Sequence, residues 1–85
     1  MEIEQKASVL FENLLREMPE DIREEFRQKT MDEAAKIAAL KEMTILEEEA
    51  IVIGFILATP SYLKDRLRKI LSYNGVDTSP YESYL

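Results

Sequence analysis

Residues 50–60 read AIVIGFILATP: nine consecutive residues without charge or hydroxyl, then Thr59 and Pro60. How an acidic chain accommodates this run decides its fold. A helix needs about 20 apolar residues to cross a bilayer, and runs of about 10–14 are more often buried core. Glu47, Glu48 and Glu49 directly precede the run and Lys64, Asp65 and Arg66 soon follow it, so it is not a membrane span. At about 100° per residue, Ile51/Phe55, Val52/Ile56 and Ile53/Leu57 point in three directions. A helix apolar all round is an interior helix. Its large side chains, at about 1.5–3 kcal/mol each, represent on the order of 10–18 kcal/mol of burial as an upper figure. Gly54 and Ala58 form a small-residue strip on which a second helix can come close.

Upstream, Thr44-Ile45-Leu46-Glu47 has the form of a capping box, hydroxyl at the cap and carboxylate three residues on. The glutamates beside it match the helix dipole. A helix over 45–58 follows. Downstream, Thr59 and Pro60 read as the cap and first residue of a helix over 60–73, buried along Leu63, Leu67, Ile70 and Leu71. Asn74-Gly75 supplies its left-handed end, with Val76 placed to fold back on the last turn.

The N-terminal half carries two more helices. Ile3, Ala7, Leu10, Leu14 and Met18 make one helical stripe over 2–18, which Pro19 ends. Pro19, Glu20 and Asp21 then open a helix over 20–42, with Ile22, Phe26, Thr30, Ala34, Ile37 and Ala38 inward. Thr30-Met31-Asp32-Glu33 also fits a capping box, so this segment is either one long helix, the favoured reading, or two. The expectation is an all-α single domain over 1–76, with the third helix central and buried. A polar tail, 77–85, docks or stays mobile.

Composition narrows the chemistry. With 46% hydrophobic and 33% charged residues the chain is globular. It has no cysteine, hence no disulfide, thiol nucleophile or thiolate metal site, which suits a reducing cytoplasm. It has no histidine, which removes the commonest acid–base group and metal ligand together. MEIEQKASVL lacks the basic and apolar regions of a signal peptide. Residues 1–49 hold 14 acids and 7 bases and residues 50–85 hold 3 acids and 4 bases, giving the net charge of −6. An acidic body opposes nonspecific nucleic-acid binding.

Acids recur at helical spacing as Glu20/Glu24 and Asp21/Glu25, and in the Glu47, Glu48, Glu49 run. They stand at helix starts, where the dipole alone accounts for them. Di-iron bundle sites pair Glu with a His three residues on, and this chain has none. Lys64, Arg66, Arg68 and Lys69 make the fourth helix net positive. They either serve an acidic partner, such as the N-terminal half of another copy, or answer a helix C-terminus locally. Tyr62, Tyr73, Tyr81 and Tyr84 fit interfacial packing better than base stacking. No phosphate-cradling glycine loop or nucleophile motif occurs.

One stretch resembles a known family. In MPEDIREEFRQKTMDEAAKIAALKEMTILEEEA, the spacing of Pro19, Ile22, Arg23, Arg27, Thr30 and Ala34 is similar to that of the PCP-reductase-type helical domain. Met43-Thr44, Glu47 and Ala50 follow approximately. That domain ends the B subunit of light-independent protochlorophyllide reductase and also stands alone in small proteins. The family usually has a glycine where this chain has Leu40-Lys41-Glu42, and an acid where it has Met31. The resemblance implies an all-α accessory module and brings no active site with it.

The reading is therefore a non-catalytic, cytoplasmic helical protein acting by protein–protein contact, without cofactor. Its contact surface is placed at Lys64, Arg66, Arg68, Lys69, Tyr81 and Tyr84. If the other helices leave the third one bare along Ile51, Gly54, Phe55 and Ala58, the same helix of a second copy is the natural cover, making a homodimer. The alternatives are a tetrapyrrole-related accessory protein and a histone-like DNA-binding module, the latter opposed by the acidic balance.

Overall fold

Among the described residues four α-helices follow in order: α1 Gln5–Leu15, α2 Arg23–Leu40, α3 Glu48–Ala58 and α4 Leu67–Tyr73. Three 3-10 turns join or follow them, Glu20–Ile22 before α2, Ser61–Arg66 before α4, and Ser79–Tyr81 in the tail. The computed structural model describes residues 2–85, so Met1 of the expected 1–76 domain lies outside the described residues. The Cα radius of gyration, 11.8 Å, matches the compactness expected of about 12 Å for this length.

The apolar run is the centre of the molecule. Ala50, Ile51, Val52, Ile53, Gly54, Phe55 and Ile56 are all buried, Leu57 is 43% exposed and Ala58 is half-buried. The principal packing is α2 on α3. These helices run antiparallel: Lys41, just past α2, pairs with Glu49 in the first turn of α3 (3.5 Å), while Phe26 meets Phe55 at the other end. Between those ends the helices come very close. A Cβ on Gly54 would stand 2.7 Å from the Thr30 carbonyl oxygen and 2.9 Å from the Ala34 nitrogen. The inward face of α2 accordingly uses small residues there, Thr30, Ala34 and Ala38, all fully buried. The remaining sides of α3 are covered by a core that includes Leu10, Phe11, Leu14, Leu67 and Leu71. Of the strip Ile51, Gly54, Phe55 and Ala58, the first three are thus buried within one chain and Ala58 is half-buried, so α3 does not present the continuous bare face on which a homodimer through it depended.

Thr30 keeps an orphan. Its hydroxyl is buried without a hydrogen-bond partner, whereas Thr59 donates its own to the Phe55 carbonyl at 2.7 Å. A buried unpaired hydroxyl costs about 1–3 kcal/mol. Thr30→Val keeps the shape and removes that penalty, so it is expected to leave stability unchanged or raise it by about 1 kcal/mol. A denaturant titration showing a loss of about 2 kcal/mol would reveal a partner for the hydroxyl.

The helix ends show which local signals prevailed. α2 runs unbroken through Thr30 to Leu40. At α4, Gly75 takes φ +81°, its N–H reaching the Ser72 carbonyl and that of Val76 the Leu71 carbonyl. This is the reverse-turn cap that Asn74-Gly75 announced. The same bond pattern closes α2, where Met43 N–H donates to the Ala38 carbonyl, but the left-handed residue is Glu42, at φ +56°. An L-residue pays roughly 1–2 kcal/mol for that conformation, partly offset in glycine by unfolded-state entropy. Glu42→Gly is therefore expected to stabilise the fold by about 0.5–1 kcal/mol, read as a higher thermal midpoint.

Several expected ends moved: the first helix stops at Leu15 and not at 18, and the second opens with the 3-10 turn Glu20–Ile22 before α2 begins at Arg23 and closes at Leu40. The capping box at Thr44 does not form: α3 begins at Glu48, and residues 45–47 lie outside the helix. Leu46 is instead held by the N-terminus, Glu4 N–H donating to its carbonyl (2.9 Å) and Leu46 N–H to that of Glu2 (2.8 Å). This isolated parallel bridge between Ile3 and Leu46 also keeps residues 2–4 out of α1. Burial of the Leu46 side chain (1% exposed) accompanies the pairing. Thr59, expected to cap the fourth helix, bonds backwards to α3, and the next segment opens as a 3-10 turn that becomes α4 only at Leu67.

The tail docks. Tyr81 is buried, Tyr84 and Leu85 pack partly against the core, and Glu82 pairs with Arg68. Burial, then the charges of Glu48, Glu49 and Asp77, push the Tyr81 phenol above its usual value. A raised phenol pKa means that the fold favours the neutral ring. Its contribution is complete below the unfolded value of about 10 and is lost as pH rises through the folded value. Alkaline titration followed by tyrosine absorbance should show a late-ionising component that Tyr81→Phe removes.

Candidate interaction surface

The fourth-helix cations expected to act together are divided by the fold. Lys64 and Arg68 lie with Asp65, Leu67 and Leu85 around one depression beside the tail, and Arg68 is committed to Glu82. Arg66 and Lys69 face another groove, lined also by Ile70, Tyr73 and Glu17. Positions 66, 69, 70 and 73 are spaced i, i+3, i+4, i+7, one face of a helix. Glu17 enters from the end of α1 and is approached by the Asn74 side-chain amide at 3.5 Å. That amide also donates to the Ile70 carbonyl at 2.8 Å.

Among the described residues, the ion pairs engage Arg27, Lys29, Lys36, Lys41 and Arg68, and leave Lys64, Arg66 and Lys69, like Lys6, Arg16 and Arg23, without a carboxylate. The local explanation holds for Lys64 and Arg66, which stand in the last turn of the 3-10 segment Ser61–Arg66, and does not extend to α4. Arg66 stands at the N-cap of α4, and the last turn of α4 holds no basic residue. A cation is favoured at a helix C-terminus and disfavoured at the N-terminus. Beside them Tyr73 is 84% exposed, the most exposed of the large hydrophobic side chains among the described residues. Tyr81, placed by sequence on the contact surface, is instead part of the core, and Tyr84 is half-buried against it. Burial of Tyr81 follows from the tail folding back, which its polar composition did not announce.

The residues of the PCP-reductase-type pattern have packing tasks. The Arg23 guanidinium donates to the Met18 carbonyl at 2.8 Å, tying the end of α1 to the start of α2. Arg27 grips Glu12 through two hydrogen bonds, 2.5 and 3.1 Å, and lies 5.9 Å from the centre of the Phe11 ring. The hydrogen bond from Arg27, aided by its charge, lowers the Glu12 carboxyl below its usual value. Both groups are partly exposed, so such a pair contributes only about 0.2–1 kcal/mol. Thr30 and Ala34 form the bed for Gly54.

Of the acids at helical spacing, Glu24 pairs with Arg27, Glu25 with Lys29 and Glu49 with Lys41, while among the described residues Glu20, Asp21, Glu47 and Glu48 have no ion-pair partner. Among the described residues no group of three or more His, Cys, Asp or Glu is placed to hold a metal ion. None of their helices is long and apolar enough to cross a membrane.

Fold and surface together define a small all-α domain with an exposed basic–aromatic helix face. The chain belongs to the family described as "Protein of unknown function (DUF2621)", whose model matches residues 2–85. No curated protein and no solved structure matches it.

Proposed function

We propose that this domain is a non-catalytic cytoplasmic module that acts by protein–protein contact through the exposed face of α4. The observation that carries the reading is the stripe of Arg66, Lys69, Ile70 and Tyr73. It holds two cations without carboxylate partners, in a chain of 17 acids and 11 bases, next to an exposed aromatic ring. Arginine and tyrosine are enriched at contact surfaces because each combines a large apolar body with a polar end. Arg68, paired with Glu82, holds the tail in place in this reading, and neither it nor Lys64 beside it meets the partner.

The test places a photo-crosslinking amino acid at position 73 and, as a control, at Leu40, which is 80% exposed at the end of α2. Adducts in cells are expected from position 73, are expected to be lost on Lys69→Glu, and are expected to be absent from position 40. Equal yields at both positions, or yields indifferent to Lys69→Glu, would overturn the assignment of the surface.

A further inference from the structure

The order of groups along the α4 groove identifies a partner. Arg66 stands at the N-terminal end of α4. Ile70 and Tyr73 follow, and Glu17 lies at the C-terminal end, where Asn74 reaches it. Lys69, one turn on from Arg66, adds a second cation to that end, so the sequence of groups is cationic, apolar, anionic with two cations to one acid. Such an order is its own complement when reversed. A second identical helix laid antiparallel across it about a two-fold axis brings each Arg66 to the other copy's Glu17 and stacks the Ile70 and Tyr73 side chains at the centre. An isologous contact requires this self-complementarity. An exclusively acidic partner fits less well, because Glu17 would repel it at one end.

We propose that the α4 face is a two-fold contact between copies of this chain, closed by reciprocal Arg66–Glu17 ion pairs around Tyr73. The proposal rests on the contact reading above and names its partner. It differs from a dimer through α3, whose apolar faces are already covered within the chain.

Size sets the strength. A standard interface removes about 800 Å² from each partner, roughly 15% of the 5408 Å² that this chain exposes. One face of a seven-residue helix with one neighbouring acid offers less. The dimer is therefore weak, in the high-micromolar to millimolar range, and weakens further with salt because its ion pairs lie at the rim.

Sedimentation equilibrium of the purified chain across that range tests it. Self-association is expected, with Arg66→Glu and Glu17→Arg each weakening it by about tenfold or more. The combined Arg66→Glu/Glu17→Arg variant should restore it, and Tyr73→Ala should weaken it without touching the core. A monomer at every concentration would overturn the proposal, as would a combined variant no better than either single one. The position-73 crosslink separates the two readings. An adduct of twice the chain mass supports the second copy. An adduct with a different chain, from a protein monomeric when pure, overturns the second copy and leaves the contact face standing. Absence of any adduct removes both.

Discussion

Gly54→Val is expected to destabilise the domain by about 2–4 kcal/mol, a large share of the 5–15 kcal/mol that holds a domain of this kind. The atoms that a Cβ would strike are main-chain atoms of α2, at 2.7 and 2.9 Å, with the Ala34 Cα at 3.1 Å. No rotamer change can move them. Either α2 withdraws along its whole length, opening contacts on both sides, or the helices separate locally. Helix propensity works the other way, since a glycine inside a helix costs about 1 kcal/mol relative to alanine. Gly54→Ala therefore has the same direction and a smaller size. At about 4–8 °C per kcal/mol for a domain of this length, the valine variant should lose on the order of 10–25 °C in thermal midpoint. If Gly54→Ala instead raised the midpoint, α2 and α3 would not approach as described, and the close packing at the centre of the fold would be wrong.

Phe55→Ala should cost about 3–5 kcal/mol. Phe55 is fully buried, and its ring meets that of Phe26 edge-on, with centroids 4.9 Å apart and planes at 70°. Truncation removes the transfer energy of the ring, leaves a cavity between two helices that Gly54 already holds close, and strips Phe26 of its partner. Leu57→Ala, on the same helix but 43% exposed, should cost only about 1 kcal/mol. Chemical denaturation of the three proteins measures the contrast. Similar losses at positions 55 and 57 would mean that α3 is not enclosed by its neighbours as the structure has it.

The architecture was legible where one physical effect dominated. A run apolar in every direction has no stable place in water, so AIVIGFILA had to be interior whatever surrounded it. The stripe Phe26, Thr30, Ala34, Ala38 is a single helix face at steps of four, and it lies against Gly54 as small residues permit. Gly75 is left-handed because the end of α4 requires it and glycine adopts it without strain. Glu42 shows the limit of that signal, since the same cap closes on a residue that disfavours it.

Local signals failed where a distant segment offered more. Thr44 satisfies every rule for a helix cap, yet the backbone of Leu46 pairs with residues 2–4 and its side chain enters the core. A cap contributes about 1 kcal/mol, less than a buried leucine together with the backbone hydrogen bonds of the bridge. The site was read least well. Four cations within six residues looked like one patch, and the contact surface was drawn through Tyr81 and Tyr84 without Tyr73.

Sequence alone determined that the chain is helical, that its third helix is interior, and that its fourth helical segment is net positive, because helical period, apolar content and charge are properties of neighbours along the chain. Tertiary structure alone decided that Arg68 is paired and Arg66 without a carboxylate, that Tyr81 is inside and Tyr73 outside, and that Glu17 shares a groove with α4. Those outcomes depend on groups up to 57 residues apart meeting in space, as Asn74 and Glu17 do. No local periodicity encodes such a meeting.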